Sequence, residues 1–272
     1  MKQIIISVFC ILSYAFSFGQ VDRIQIADSI SKEGKKLYRS EMASWYGTDV
    51  FMEKFKSESN NIGGYFSYPN EGKETCLFFS KGENPQVLGT ISFTNSYDPS
   101  KAQVDDRKRE FTSLELDYYL LRKAAFTQVN SDTSFFRTYK STSLNLIPLI
   151  ENNKKQVYIL TGTSRTDIVI IGNDYLLNFD KDNKLISKRK LHANIIPLQT
   201  KVEEEKEEGK ITMGSVHNHL PETGDYITAT DVCTFMLYEK FTNWKQQMVI
   251  SEKYMSIWMC ETDNLLIVPT GN

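Results

Sequence analysis

Histidine is scarce: the 272 residues contain three. Any imidazole chemistry must therefore use His192, His217 or His219. Cysteine is nearly as rare, at four residues. Cys10 falls in an N-terminal apolar run, and Cys76, Cys233 and Cys260 show no Cys-x-x-Cys spacing. That excludes a cysteine zinc site and a disulfide framework. Cys233 and Cys260 fall on a predicted helix and a predicted strand, where two buried thiols are favoured over a bridge. Charge excess is also lacking. With 32 basic and 34 acidic side chains the net charge is -2, so no broad field draws the chain to nucleic acid or to an anionic membrane. Past the N-terminus no apolar run approaches the ~20 residues a spanning helix needs. The 40% hydrophobic and 24% charged residues that are present suit a globular chain with a sizeable core.

Met1-Lys2 gives a short basic start, and an apolar run follows from Ile4 to Phe16. Ser17 and Gly19 put small residues at the -3 and -1 positions of a cleavage site before Gln20. Residues 1–19 therefore read as a signal peptide. The mature protein is expected to be exported, periplasmic or extracellular, with no membrane span.

Residues 24–56 repeat Ile24, Ile26, Ile30, Leu37, Met42 and Trp45 at helical spacing. Strands are predicted over 65–68, 75–79 and 87–93. A helix follows from 112 to about 128, with Leu114, Tyr118, Leu121, Ala125 and Phe126 on its apolar stripe. Thr112 and Glu115 have the spacing of a capping box. Residues 156–162 and 168–171 are runs short enough for buried strands. Residues 175–179 and 184–192 form a predicted hairpin around Asp180-Lys181-Asp182-Asn183. That turn resembles the start of a calcium loop but lacks the glycine and closing glutamate. His192 is read as ending a strand and packing. The glutamate-rich stretch 201–210 reads as solvated surface. A strand over 211–217, a helix over 231–244 and a hairpin of 247–251 with 254–260 complete the pattern. The fold class is α+β: an N-terminal helix and antiparallel-strand region over 20–140, then a mixed sheet with flanking helices over 141–272.

Chemistry concentrates at His217-Asn218-His219, followed by Thr228-Ala229-Thr230-Asp231. Residues two apart on a strand share a face, so both imidazoles point the same way. Two imidazoles and a carboxylate supply three of the four ligands of a catalytic zinc, leaving one position for water. His217, His219 and Asp231 are thus the candidate ligands for Zn2+. Thr228 and Asp231 equally fit a helix capping box, and Thr230 alone fits an N-cap.

The order strand, His-x-His, loop, Thr-x-x-Asp, helix and hairpin resembles the core of JAMM (MPN/JAB-like) zinc metalloproteases, His-Asn-His being close to the RadC-like branch. The likeness covers about residues 150–262, and the chain as a whole resembles a secreted protein of Bacteroidetes type. The resemblance implies a peptide or protein substrate, a hydroxyl from Thr228 at the developing oxyanion, and a glutamate general base at the start of an upstream strand. Gln156 stands at that base position, and an amide cannot accept the proton. Glu151 is the nearest upstream carboxylate and Glu222 the weaker alternative. Eight residues rather than seven separate His219 from Thr228, and Leu220 replaces the proline after the second histidine. Two functions follow from this pattern: a metal-dependent peptidase or isopeptidase, or a non-catalytic envelope binding module that keeps the fold without the base.

Overall fold

The computed structural model describes residues 22–94, 96–200, 214–242 and 244–271 in full. The first helix, α1, is assigned to Lys2–Lys54, with side chains described from Asp22 onward. The expected signal peptide over 1–19 and the acidic stretch 201–210 lie outside the described residues. Among the described residues no helix is long and apolar enough to cross a membrane.

The chain forms two compact units, one of residues 36–203 and one of residues 1–35 with 204–272. This division differs from the expected change at 140/141, because one core in the first unit runs across that point. There, an antiparallel sheet orders β1 (Ile62–Asn70), β2 (Lys73–Ser80), β3 (Val87–Phe93) and β4 (Gln103–Asp105). β2 alternates between two covered faces. Cys76 and Phe78 join Ala43 and Phe51 of α1 and Phe55 just past its end. Leu77 and Phe79 join Phe66, Tyr68 and Tyr118 of the second helix, α2 (Ser113–Ser131). With both faces covered, β2 is an unbroken apolar run instead of an alternating one. α1 comes close enough to this sheet that a Cβ on Gly47 would stand 2.7 Å from Cys76 Cβ.

α2 also faces a second antiparallel sheet, of β5 (Thr142–Glu151), β6 (Lys154–Thr163), β8 (Tyr175–Phe179) and β9 (Leu185–Lys190), in that order. Leu121, Ala125 and Phe136 pack there against Val157, Ile159, Tyr175 and Leu177, which is the core that spans residue 140. Leu114 and Phe126 of the expected stripe are instead exposed, as are Ile24 and Trp45 on α1. β7 (Ile168–Gly172) pairs with β10 (Ile195–Gln199).

Local chemistry explains the ends of these elements. Thr112 caps α2 reciprocally: its Oγ1 accepts from Glu115 N, and its own NH donates to Glu115 Oε2. Glu115 also accepts from Arg109 at 2.6 and 2.7 Å and from Tyr68 Oη at 2.8 Å. Burial would raise its pKa, but the Arg109 guanidinium and the other donors hold it at about 2. The 180–183 segment is a hairpin turn, as expected. Asp180 Oδ1 accepts from the NH groups of Asp182 and Lys184, and Asn183 takes a positive φ of 60°.

The second unit is built on a mixed sheet: β11 (Gly214–Asn218), β12 (Gln246–Ile250), β13 (Tyr254–Met259) and β14 (Asn264–Pro269). β11 and β12 are parallel and the other pairs antiparallel. A parallel pair needs a crossover, which α3 (Ala229–Thr242) provides. From Thr230 to Leu237 every α3 residue is buried. The early part of α1 covers α3, and a Cβ on Gly34 would lie 2.5 Å from Val232 Cγ1. Among the described residues there is no disulfide, and Cys260 is half-buried where full burial was expected.

Candidate metal centre

β11 carries His217 and His219 to one face, as the two-residue period requires, and both are buried while Val216, Asn218 and Leu220 are exposed. The backbone is pinned beyond the strand end by His219 N donating to Ile250 O at 2.8 Å. The loop that follows is tied to the β12–β13 connection. Ser251 Oγ donates to Asp225 O at 2.7 Å, Lys253 pairs with Asp225 at 2.9 Å, and the Tyr226 and Tyr254 rings stack at 4.8 Å. Ile227 N donates to Ser256 Oγ at 3.2 Å. These contacts deliver the chain to the start of α3 with Asp231 in its first turn.

Asp231 is fully buried, and its two oxygens address the two histidines separately. Oδ1 lies 3.6 Å from His217 Nε2, and Oδ2 lies 3.4 Å from His219 Nε2. These separations exceed the 2.7–2.9 Å of a direct charge-assisted bond. Two donors each ~2.0–2.1 Å from a tetrahedral zinc stand about 3.3–3.4 Å apart, so the spacing fits ligands arranged around one cation. The ligand atoms of His217, His219 and Asp231 lie within 4.8 Å of one another and can hold a metal ion.

The His219 tautomer supports that use. Its Nδ1 lies 2.9 Å from the backbone oxygen of Tyr226. A carbonyl only accepts, so Nδ1 carries the proton and the Nε2 lone pair is directed at the cluster. A contact of this kind orients metal-binding histidines. Sequence reading did not reach it, because a backbone acceptor leaves no trace in residue type.

Thr228 occupies the capping position. Its Oγ1 accepts from Asp231 N at 3.0 Å and donates to Asp231 Oδ2 at 2.8 Å, and its NH donates to the same oxygen at 2.9 Å. Its hydroxyl also lies 2.9 Å from Thr230 Oγ1. The expected oxyanion donor is thus engaged in holding the Asp231 carboxylate, which leaves Oδ1 directed at His217.

Glu151 ends β5 in the 36–203 unit, is 59% exposed and is ion-paired with Lys36. Gln156 is buried on β6 and donates from Nε2 to Asn178 Oδ1 at 2.7 Å. Glu222 is exposed in the turn after β11. A further buried carboxylate of the unit that carries the histidine pair, Glu239, is pushed up to about 7 by burial against the pull of Trp258. It sits eight residues beyond Asp231 on α3, about 12 Å along the axis at ~1.5 Å per residue. His192, in the 36–203 unit, is buried as expected, with Nδ1 3.4 Å from Asp174 Oδ2.

Fold and site together define an α+β protein with a buried histidine and aspartate cluster able to hold a metal ion. No family model, no curated protein and no solved structure matches this chain.

Proposed function

We propose that this is an exported zinc protein of JAMM-like type, in which His217, His219 and Asp231 hold Zn2+. The observation that carries the reading is the His219 bond to Tyr226 O, which turns Nε2 toward a buried carboxylate 3.4 Å away. Two imidazoles and one carboxylate are a zinc-type donor set. Bound there, zinc supplies Lewis-acid activation of water for attack on a peptide or isopeptide carbonyl.

The chain's own residues set how far that chemistry goes. Tyr226 O fixes the His219 tautomer, and Thr228 holds Asp231 in place. Among the described residues of this unit no second carboxylate joins the three ligand groups, and general-base help is typically worth about 10²–10⁴-fold. The activity is therefore a slow hydrolysis. The test incubates zinc-loaded protein with fluorogenic peptide and isopeptide substrates. Slow turnover that disappears in His217→Ala supports the peptidase reading. Zinc-loaded protein that binds peptides without cleaving them would replace it with the non-catalytic binding module, which the missing base and the engaged Thr228 hydroxyl favour.

A further inference from the structure

Arg122 of α2 differs from the ion-paired arginines of the same unit. Arg39, Arg107, Arg109 and Arg165 each pair with a carboxylate. Arg122 is largely buried, yet among the described residues no carboxylate pairs with it and its guanidinium makes no hydrogen bond. Its Nε is fully enclosed without a partner, whereas the two Nη groups reach solvent. The guanidinium carbon sits 5.8 Å from the centre of the Phe79 ring. One Nη lies so near Gly64 that a Cβ there would come within 3.3 Å of it. The absence of a side chain at Gly64 makes room for the group.

The surroundings are aromatic and hydroxyl-bearing. Tyr65 and Tyr119 both bear electrostatically on Arg122, and burial lowers its pKa against them. The Tyr119 ring lies 5.1 Å from Phe79 and 5.1 Å from Phe111, and Lys123 Nζ lies 5.8 Å from Tyr119. Enclosing a guanidinium without a counter-charge is costly, and an apolar side chain of similar size is often neutral or better at such a position. The fork of Nη donors is the geometry that receives a carboxylate or phosphate in parallel bonds.

We propose that Arg122, beside Tyr119, forms a binding site for the oxyanion group, carboxylate or phosphate, of a small ligand. In this arrangement the ligand provides the charge partner that the fold omits, and Phe79 and Phe111 wall the site.

The test uses the full chain, dialysed against chelator so that the histidine cluster cannot contribute. Thermal melting and calorimetric titration are run with sodium acetate, inorganic phosphate and sodium chloride at matched ionic strength. Saturable binding of acetate or phosphate beyond chloride is expected, with a melting temperature that climbs with the logarithm of ligand concentration. The arm that responds identifies the group as carboxylate or phosphate. Arg122→Met is expected to melt no lower than wild type in chloride and to lose the anion-dependent climb, with affinity down tenfold or more. No gain over chloride in either arm, or the same gain in Arg122→Met, overturns the proposal and leaves Arg122 as packing on Phe79. Should Arg122→Met fail to fold, Arg122→Lys, which keeps the charge and loses the fork of donors, decides. A several-fold loss of affinity supports the site, and unchanged affinity overturns it.

Discussion

Nδ1 of His219 lies 2.9 Å from the backbone oxygen of Tyr226, and that bond fixes which ring nitrogen faces Asp231. The loop contacts around Asp225 and Ile227 hold the carbonyl in place, so the orientation does not depend on a metal arriving first. His219→Ala and His217→Ala should each weaken zinc binding by about 100-fold or more, as loss of a ligand exceeds the 10–100-fold typical of a supporting partner. Asn218→Ala, between them on the exposed face, should leave affinity unchanged. Competition against a chromophoric chelator measures all three, and an effect of Asn218→Ala equal to the others would contradict the assignment of faces.

Thr228 joins helix capping to ligand placement, since its bonds to Asp231 both close the first turn of α3 and hold the carboxylate. Thr228→Ala should cost about 1 kcal/mol in metal-free protein and lower zinc affinity by about 10–100-fold. Thr228→Ser should restore both. Chemical denaturation of the metal-free variants, paired with the chelator competition, separates the two effects.

At Gly34 two opposing effects can be weighed. Alanine is favoured over glycine in a helix by about 0.8–1.0 kcal/mol. A Cβ here would press into Val232 at 2.5 Å, and overpacking typically costs about 1–3 kcal/mol. Packing should prevail, so Gly34→Ala lowers the melting temperature. Adding Val232→Ala should recover part of the loss, a coupling that a double-mutant cycle reads directly.

Glu239 should make stability fall with rising pH. Its folded pKa is raised from the ordinary 4.5 to about 7 by burial, with Trp258 donating to Oε2 at 3.3 Å. The folded state therefore holds the proton more tightly than the unfolded one. Its contribution is fully present below pH 4.5 and is lost as pH rises through 7. Glu239→Gln keeps an acceptor for Trp258 and removes the charge. It should stabilise the protein at pH 8 by on the order of 1 kcal/mol, after allowance for solvent screening, and give no gain at pH 4. Melts of both proteins across that range check the sign.

What the sequence disclosed follows from how local each signal is. The His-x-His face and the Thr112–Glu115 box depend on spacings of two and three residues, and both were legible. So was the 180–183 turn, because Asp180 satisfies backbone donors within four residues. β5 was not legible: Pro148 in its middle argues against a strand, yet β5 lies at the end of its sheet order, where proline is tolerated. Without β5, nothing indicated that Glu151 ends a strand and pairs with Lys36. β10 escaped in the same way, through Pro197. The grouping of residues 1–35 with 204–272 rests on contacts such as Gly34 with Val232, nearly two hundred positions apart, which no periodicity encodes.

Metal content tests the central claim most directly. Protein purified without added chelator, or reconstituted with zinc and desalted, should carry one zinc per chain by elemental analysis. That zinc should be lost in His217→Ala, and its removal by chelator should lower the wild-type melting temperature. Folded protein that carries no zinc after reconstitution, with a melting temperature indifferent to chelator, would contradict the account.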